Sequence, residues 1–484
     1  MSDATHRPVR VSRRVFVQRS ALAAGASAMP GIVPARLLGS QAPSNRIRVG
    51  QIGTGRIGLA HDVPGVIRSG LADIVALCDV DSRRLAFGRT RVVQLAAKAG
   101  LPAQDVRVHT AHAEMLERPD LDAVVISTPD HSHAEIALAA VLAGKDVYLQ
   151  KPMTMTHAEG VLLRSEVART GRIVQIGSQQ RSWGPDEQFR KAVEFVRSGR
   201  IGQIRRVEVG LPVDPTAPDP PEGPVPSNLD YDRWLGPTPL VPYTERRVHS
   251  QNVNPDGTPD VDSRPGWLRN DAYCLGMITG WGAHHFDTAH WGMNLEHTGP
   301  SRIEGRGEFP PSDRIWNVHG AYDVELTYPG DIRMTVSDRF PNGIRFIGDE
   351  GWIFVSRDAQ AQTASDPVSP GPGALEPLAA SDPRLLDPAG VRVELPHSTS
   401  HHLNWLECVR SRGTPLAPAP VAHRSNTACI LSWIAMKLQR PLAWDAQAER
   451  FPDDPEAQAM LSRAERAPYG AGRLLSGRPA LAPG

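Results

Sequence analysis

The chain has 484 residues, too many for one ordinary core, and 40% of them are hydrophobic, so two buried cores are expected. Lys plus Arg equals Asp plus Glu at 53 each, which leaves a formal charge of zero. That balance excludes the electrostatic footprint of a nucleic-acid binder, so the expected partners are small molecules or copies of the chain itself.

Residues 1–44 read as a leader and linker. The stretch "VSRRVFVQRSALAAGASAMPGIVPARLLG" joins Ser12, the pair Arg13 and Arg14, and Phe16 to an Ala-rich run, and it is similar to a twin-arginine export signal. Ala26-Ser27-Ala28 is the expected cleavage site, and a periplasmic or secreted location follows; the alternative is a basic leader on a cytosolic enzyme. Arg19 interrupts the run, which falls short of the ~20 apolar residues of a membrane span, and no span is expected in the mature protein.

Residues 45–180 alternate strand and helix. A short apolar strand in "NRIRVGQIG" leads into Gly53-Thr54-Gly55-Arg56-Ile57-Gly58 and then a helical pattern. A second strand, "ADIVALCDVD", brings Asp79 to a point 21 residues after Gly58. Glycines let a backbone approach a pyrophosphate, a helix N-terminus supplies unpaired N–H groups, and an acid at this distance accepts the ribose hydroxyls. Further strands are predicted at "LDAVVIST", "KDVYLQKP" and "RIVQIGS", with helices such as "HAEIALAAVLAGK" between them. The fold class is therefore α/β, a Rossmann dinucleotide-binding domain with a doubly wound parallel sheet.

Residues 181–440 change character. A helix in "PDEQFRKAVEFVRSGRIG" closes at Gly199, and strands with period-two alternation follow at "IRRVEVGL", "AYDVELTYPG", "DIRMTVSDRF" and "IRFIGDEGWIFVSRD". They predict an α+β domain on a large, open, mostly antiparallel sheet. Two Pro-rich stretches, 211–229 and 366–390, are expected as surface loops or arms. The segments "HHLNWLECVRSRG" and "RSNTACILSWIAMKLQ" are predicted helices that pack back on the first domain, and 441–484 reads as tail. Cys78, Cys274, Cys408 and Cys429 show no C-x-x-C spacing, so buried free thiols are expected and a zinc site is not.

Three places could carry chemistry. Lys151 precedes Pro152 at a strand end, where proline forces an extended backbone at the ligand-binding edge of the sheet, and an ammonium there can take up or relay a hydroxyl proton. Thr128-Pro129-Asp130-His131-Ser132-His133 follows another strand end; it is read as a loop lining the nicotinamide site, with Thr128, Pro129 and His133 as cofactor contacts, in preference to a metal site. In "MITGWGAHHFD" a helix over 280–291 would put His284 on one face with Gly280, Asp287 and Thr288, with His285 pointing elsewhere. A neutral imidazole at 284 is a candidate general base, set against a core histidine, and Asp287 is a candidate orienter.

These pieces together resemble the glucose-fructose oxidoreductase, inositol dehydrogenase and rhizopine-catabolism (Gfo/Idh/MocA) family. The resemblance is carried by Gly53–Gly58, "CDVD" at 78–81, "TPDHSH" at 128–133, "QKP" at 150–152 and "GWGAHHFD" at 280–287. It implies bound NAD, with NADP left open by Arg83 and Arg84 beside Asp79, a sugar or cyclitol substrate, and a homo-oligomer. The family's catalytic lysine falls on Lys151, preceded here by Gln150 in place of glutamate. Its D-x-x-x-H pair falls on Gly280 and His284, so the histidine is present and the aspartate is missing. Without it His284 is expected to be a weaker base unless Asp287, Asp271 or Tyr273 substitutes, and Tyr273, His285 and Asp287 are taken as substrate contacts. Gly53, Gly55, Arg56, Ile57, Gly58, Asp79, Gln150 and Lys151 are the expected cofactor contacts besides the 128–133 loop. The expected activity is oxidation of a sugar, glycoside or cyclitol hydroxyl with a tightly bound, recycled cofactor. Redox-neutral glycoside cleavage or epimerisation through a transient keto-sugar, or non-catalytic sugar binding, are the alternatives.

Overall fold

Strands that lie inside a parallel sheet are covered on both faces, so they read as unbroken apolar runs instead of alternating ones. The computed structural model describes residues 46–102, 105–182, 184, 186–357 and 376–476, and the leader with its expected cleavage site lies outside them. Six strands make the first sheet: β1 (Ile47–Ile52), β2 (Ala72–Cys78), β3 (Arg107–His109), β4 (Ala123–Ile126), β5 (Asp146–Leu149) and β6 (Val174–Ile176). β4, "AVVI", is buried at every position. The order is β3-β2-β1-β4-β5-β6, all parallel. Strand order reverses between β1 and β4, and the crevice at the carboxyl ends of these two strands is where a doubly wound sheet binds its ligand.

The second sheet has eight strands in the order β13-β12-β11-β7-β10-β9-β8-β14. They are β7 (Ile204–Gly210), β8 (Arg302–Gly307), β9 (Tyr322–Tyr328), β10 (Ile332–Ser337), β11 (Gly343–Gly348), β12 (Gly351–Val355), β13 (Leu378–Ala380) and β14 (Leu442–Ala443). β7 and β10 are parallel and the other pairs antiparallel, so the sheet is mixed. Its inward residues, among them Val207, Val324, Leu326, Met334 and Phe346, form one core with the helices Gln188–Arg197, Gly282–Met293 and Ala419–Leu438. Its outer face carries paired charges, such as Arg302 with Glu304 and Arg333 with Glu325. Both sheets belong to one compact unit, Ile47–Gly484.

Two sequence expectations are corrected here. The second Pro-rich stretch is not all loop: Leu378–Ala380, between Pro377 and Pro383, forms the edge strand β13, a position where flanking prolines cost no ladder bond. The segment from Pro441 is not a loose tail. Leu442 pairs with Ile303, Phe451, Ala457 and Leu461 are buried, and Arg463 binds Glu159 at 2.8 Å and the His131 carbonyl at 2.7 Å. The four cysteines are buried and free.

Candidate active site

The sharp turn after β1 can be built only from glycine at its first position. Gly53 has a φ of +89°, and a Cβ there would lie 2.6 Å from the Ser127 carbonyl oxygen. A Cβ on Gly58 would lie 2.4 Å from the Gly53 carbonyl, so Gly58 closes the turn against the helix behind it and does not face a ligand. Gly55 faces open space, with only an Arg84 guanidinium nitrogen 3.7 Å from a notional Cβ. Thr54 holds the Asp79 carboxylate through its backbone N–H at 2.7 Å and its hydroxyl at 2.8 Å. An open glycine cradle, a helix start and a fixed carboxylate at the end of β2 fit a dinucleotide.

This turn opens into a cavity of about 690 Å³. Gly53, Gly55, Arg56, Ile57 and Asp79 line one part of it, and Thr128, Pro129, Gln150, Lys151 and His284 line the rest. The sequence therefore brings most of its expected cofactor contacts, and both expected catalytic residues, to one space. His133 is different: its imidazole is buried between the carbonyls of Pro152 at 2.7 Å and Thr128 at 3.0 Å. It tethers the two strand-end loops, and burial brings its pKa down to about 4.

Lys151 extends from the end of β5 across the cavity and donates to the Gly280 carbonyl at 2.5 Å. Burial pushes its pKa down to about 8; Asp130 opposes that shift, and Arg357 and Arg264 add to it. Asp130 is buried beside Lys151, with one carboxyl oxygen lacking a hydrogen-bond partner, and burial raises its pKa to about 7. Burial, followed by Arg357 and Lys151, drives the His284 pKa well below the ordinary imidazole value, so the ring is neutral. Among the described residues His284 Nδ1 is buried without a partner, and Gly280 leaves room where a carboxylate could reach it: a Cβ at 280 would meet only Cys274 Sγ, at 3.9 Å.

None of the expected substitutes for the missing carboxylate is in place. Asp287 lies in a buried ion pair with Arg181, at 2.7 and 2.9 Å, and Arg181 also binds Glu296 at 2.9 Å. It neither orients His284 nor touches the cavity. Asp271 accepts from Asn317 at 2.9 Å and from Lys437 at 3.3 Å. His285 is held by Gln180 at 3.2 Å and Asn342 at 2.9 Å, so its role is structural. Tyr273 is buried in an aromatic cluster with His131 and Trp234. Neither it nor His285 lines the cavity.

Other residues arrive that sequence spacing does not suggest. The helix His401–Ser411 carries His401 and His402 to the cavity wall, and His402 Nε2 lies 2.9 Å from Asp62. Asp62 also accepts from Gln150 Nε2 at 2.8 Å and the Ser127 hydroxyl at 2.5 Å. A glutamate at 150 would set two carboxylates face to face here, so the neutral glutamine fits its surroundings. Among the described residues, His157, His423 and Glu449 have spacing that could hold a metal ion. The Glu449 carboxylate is already held by Arg164, at 2.8 and 3.0 Å, and by Arg424, which makes the cluster an ion-paired joint between helices.

Residues 47–178 match the model of an oxidoreductase family with an NAD-binding Rossmann fold. Residues 219–315 and 387–471 match the C-terminal α/β domain of the same family. Inositol 2-dehydrogenase 1 of Saccharopolyspora erythraea is 37% identical over 138 residues, 28% of this chain and 37% of that protein. A glycosyl hydrolase family 109 protein of Shewanella pealeana is 30% identical over 184 residues, 38% of this chain and 37% of that protein. The chain thus spans well under two thirds of the length of these two curated relatives. The crystal structure of aldose-aldose oxidoreductase from Caulobacter crescentus, in complex with glycerol, superposes with a TM-score of 0.55 at 16% identity, over 82% of this chain and 99% of that one. The shared fold, the glycine cradle and the matches to both family domains place the chain in the Gfo/Idh/MocA family of oxidoreductases.

Proposed function

We propose that the protein is a nicotinamide-dependent oxidoreductase that acts on a hydroxyl of a sugar, glycoside or cyclitol. The observation that carries this reading is the single cavity in which the glycine cradle meets Lys151 and His284. Gly53, Gly55, Arg56 and Asp79 would hold the dinucleotide, and NAD bound there supplies the hydride acceptor. NAD is favoured over NADP because a carboxylate at 79 repels a 2′-phosphate, although Arg84 also lines the cavity.

Lys151 is the proton acceptor of this proposal. An amine whose pKa lies near 8 is matched to removing a hydroxyl proton close to neutral pH, whereas burial, reinforced by the flanking cations, makes His284 a weaker base. His284 then orients the hydroxyl by hydrogen bonding. As the carbinol carbon gives up its hydride, the oxygen gives up its proton to Lys151, and a ketone remains.

A second reading is favoured by the similarity to the glycosyl hydrolase family 109 protein. A transient ketone acidifies the neighbouring C–H; loss of that proton expels the glycosidic group, water adds across the resulting double bond, and the ketone is then reduced back, so the cofactor ends each cycle as it began. A cofactor retained and recycled in this way also suits export of the folded protein through the leader, and an oligomer formed through the open sheet face belongs to the same proposal.

The test is to denature the purified mature protein and chromatograph what is released. Near-stoichiometric NAD(H) or NADP(H) supports a closed redox cycle and names the cofactor. A protein that neither retains nor binds any nicotinamide sinks the oxidoreductase reading.

A further inference from the structure

Residues 463–475 bring the chain back to the cavity that the glycine turn opens into, and Pro468, Tyr469 and Leu474 line it. Where they stand follows from their partners. A carboxylate at the end of β2 takes the adenosine ribose of a dinucleotide, so the adenosine belongs on the side of Asp79 and the loop after β3. The short helix Tyr231–Leu235 rests on that side: the Asp230 N–H donates to the Val80 carbonyl at 2.9 Å, Leu229 bridges to Asp81, and the Arg233 guanidinium donates to the Thr110 carbonyl at 3.3 Å. A second wall of the cavity comes from the start of the helix His133–Leu142, through Ser132, Glu135 and Ile136.

Residues 463–475 are bonded to both walls. Toward the helix Tyr231–Leu235, the Arg466 guanidinium donates to the Asp232 carboxylate at 2.7 Å and to the carbonyls of Asp232 and Thr238, each at 2.9 Å. The Tyr469 hydroxyl donates to the other oxygen of the Asp232 carboxylate at 2.7 Å, and its ring lies 4.8 Å from the Arg466 guanidinium. Toward the second wall, the Gly470 N–H donates to the Glu135 carboxylate at 3.0 Å, Arg463 donates to the His131 carbonyl at 2.7 Å, and Ala471 packs with Ala134 and Leu138. The two attachments differ in kind. Gly470 and Ala471 are buried, whereas the Asp232 side chain is 57% exposed. A tie made of exposed charges is weak and opens first, while a packed apolar one persists. Leu474 is 36% exposed at the cavity, an apolar surface that the flat face of a purine would cover.

Building on the proposed oxidoreductase reading, we infer that residues 463–475 belong to the cofactor site, as a strap over its adenosine end. Pro468, Tyr469 and Leu474 cover the adenosine, and the cofactor enters and leaves when the ties of Arg466 and Tyr469 to Asp232 open. Such a strap slows exchange in both directions, so one cofactor molecule stays bound through successive turnovers.

Stopped-flow fluorescence of NADH on the full chain decides this, with association followed on mixing and release followed on displacement by excess NAD. Asp232→Asn and Tyr469→Phe each loosen the exposed attachment and leave the apolar one in place. Both are expected to speed NADH release by about five-fold or more and to speed association as well, because a strap obstructs the path in and out. A residue that merely touched the cofactor would speed release alone. ADP-ribose, which carries the adenosine and lacks the nicotinamide, should be released faster by a similar factor when NADH displaces it. In the unaltered chain, amide hydrogen exchange across residues 466–471 should slow when either ligand binds. The inference is overturned if both rates stay within about two-fold in the two variants, or if release changes without association. It is also overturned if only NADH responds and ADP-ribose does not, which would put the segment at the nicotinamide end, or if neither ligand slows the exchange. When NADH binds and the variants exchange it like the unaltered chain, the strap falls alone; an unaltered chain that binds neither NADH nor ADP-ribose sinks the oxidoreductase reading and the strap with it.

Discussion

Two charged clusters flank the helix Gly282–Met293, and they are built on opposite terms. On one side Arg181 sits between Asp287 and Glu296, every partner within 2.9 Å, with the Trp291 ring 4.9 Å from its guanidinium. Burial works against the Arg181 charge, but the two carboxylates more than offset it and hold its pKa above the ordinary guanidinium value. On the other side Lys151, Arg264 and Arg357 line the cavity, and burial, with both arginines, lowers the Lys151 pKa. The first cluster is closed by the chain itself and fixes the helix. The second faces a space that a cofactor and substrate can enter. A buried charge held wholly within the fold is a structural element, and one that lines a cavity can also serve recognition.

The contrast can be broken most sharply at Lys151. Lys151→Met should lower turnover of the sugar or cyclitol substrate by about 10³-fold, within the range for loss of a general base; a loss below ten-fold would remove the lysine from the proton path. Next in size is the closed cluster. Asp287→Ala strands a buried guanidinium and is expected to lower unfolding stability in urea by about 3–5 kcal/mol. Arg264→Gln, made at the cavity wall, should cost less, because Asp214 keeps Arg269 as a partner at 3.7 Å. Equal losses at the two positions would mean that the clusters do not differ in kind.

A smaller effect sharpens the assignment of the base. Lys151 accepts a proton only as the neutral amine, so turnover should rise with pH through about 8 and level off above it. Asp130 favours the charged ammonium, so Asp130→Asn is expected to move that rise to lower pH by about one unit. A profile flat from pH 6 to 9 would take the role away from Lys151. The smallest effect is at the position of the missing acid. A Cβ at 280 meets only Cys274 Sγ, at 3.9 Å, so Gly280→Asp should fold with a stability change within about 1 kcal/mol.

The parts of the molecule that were legible in the sequence share a property: their interactions are local. The glycine turn, Asp79 and the lysine before Pro152 are each defined by neighbours along the chain, and the fold class follows from strands whose burial leaves an unbroken apolar run. β3 and β13 carry no such signal, being three residues each, with β3 largely exposed and β13 half-buried. The reading of Asp287 as an orienter failed for a related reason. Its helix phase was right, but its partner Arg181 lies 106 positions away, and spacing cannot reveal a competitor that distant. The "HH" opening the helix at 401 was visible as a helix start, whereas its delivery to the cavity wall depends on how two domains meet. Asp130 stood inside a stretch already singled out, and an acid among histidines at a strand end was the available clue.

The pairing of His402 with Asp62 joins residues 340 positions apart. During synthesis the first sheet can form as soon as its strands leave the ribosome, but Asp62 then waits, along with the Gln150 it positions, until His402 has been made. The cofactor edge of the first domain is thus completed by a residue made 340 positions after Asp62. A nascent or truncated chain ending before the helix His401–Ser411 would present a folded sheet with an unfinished binding site.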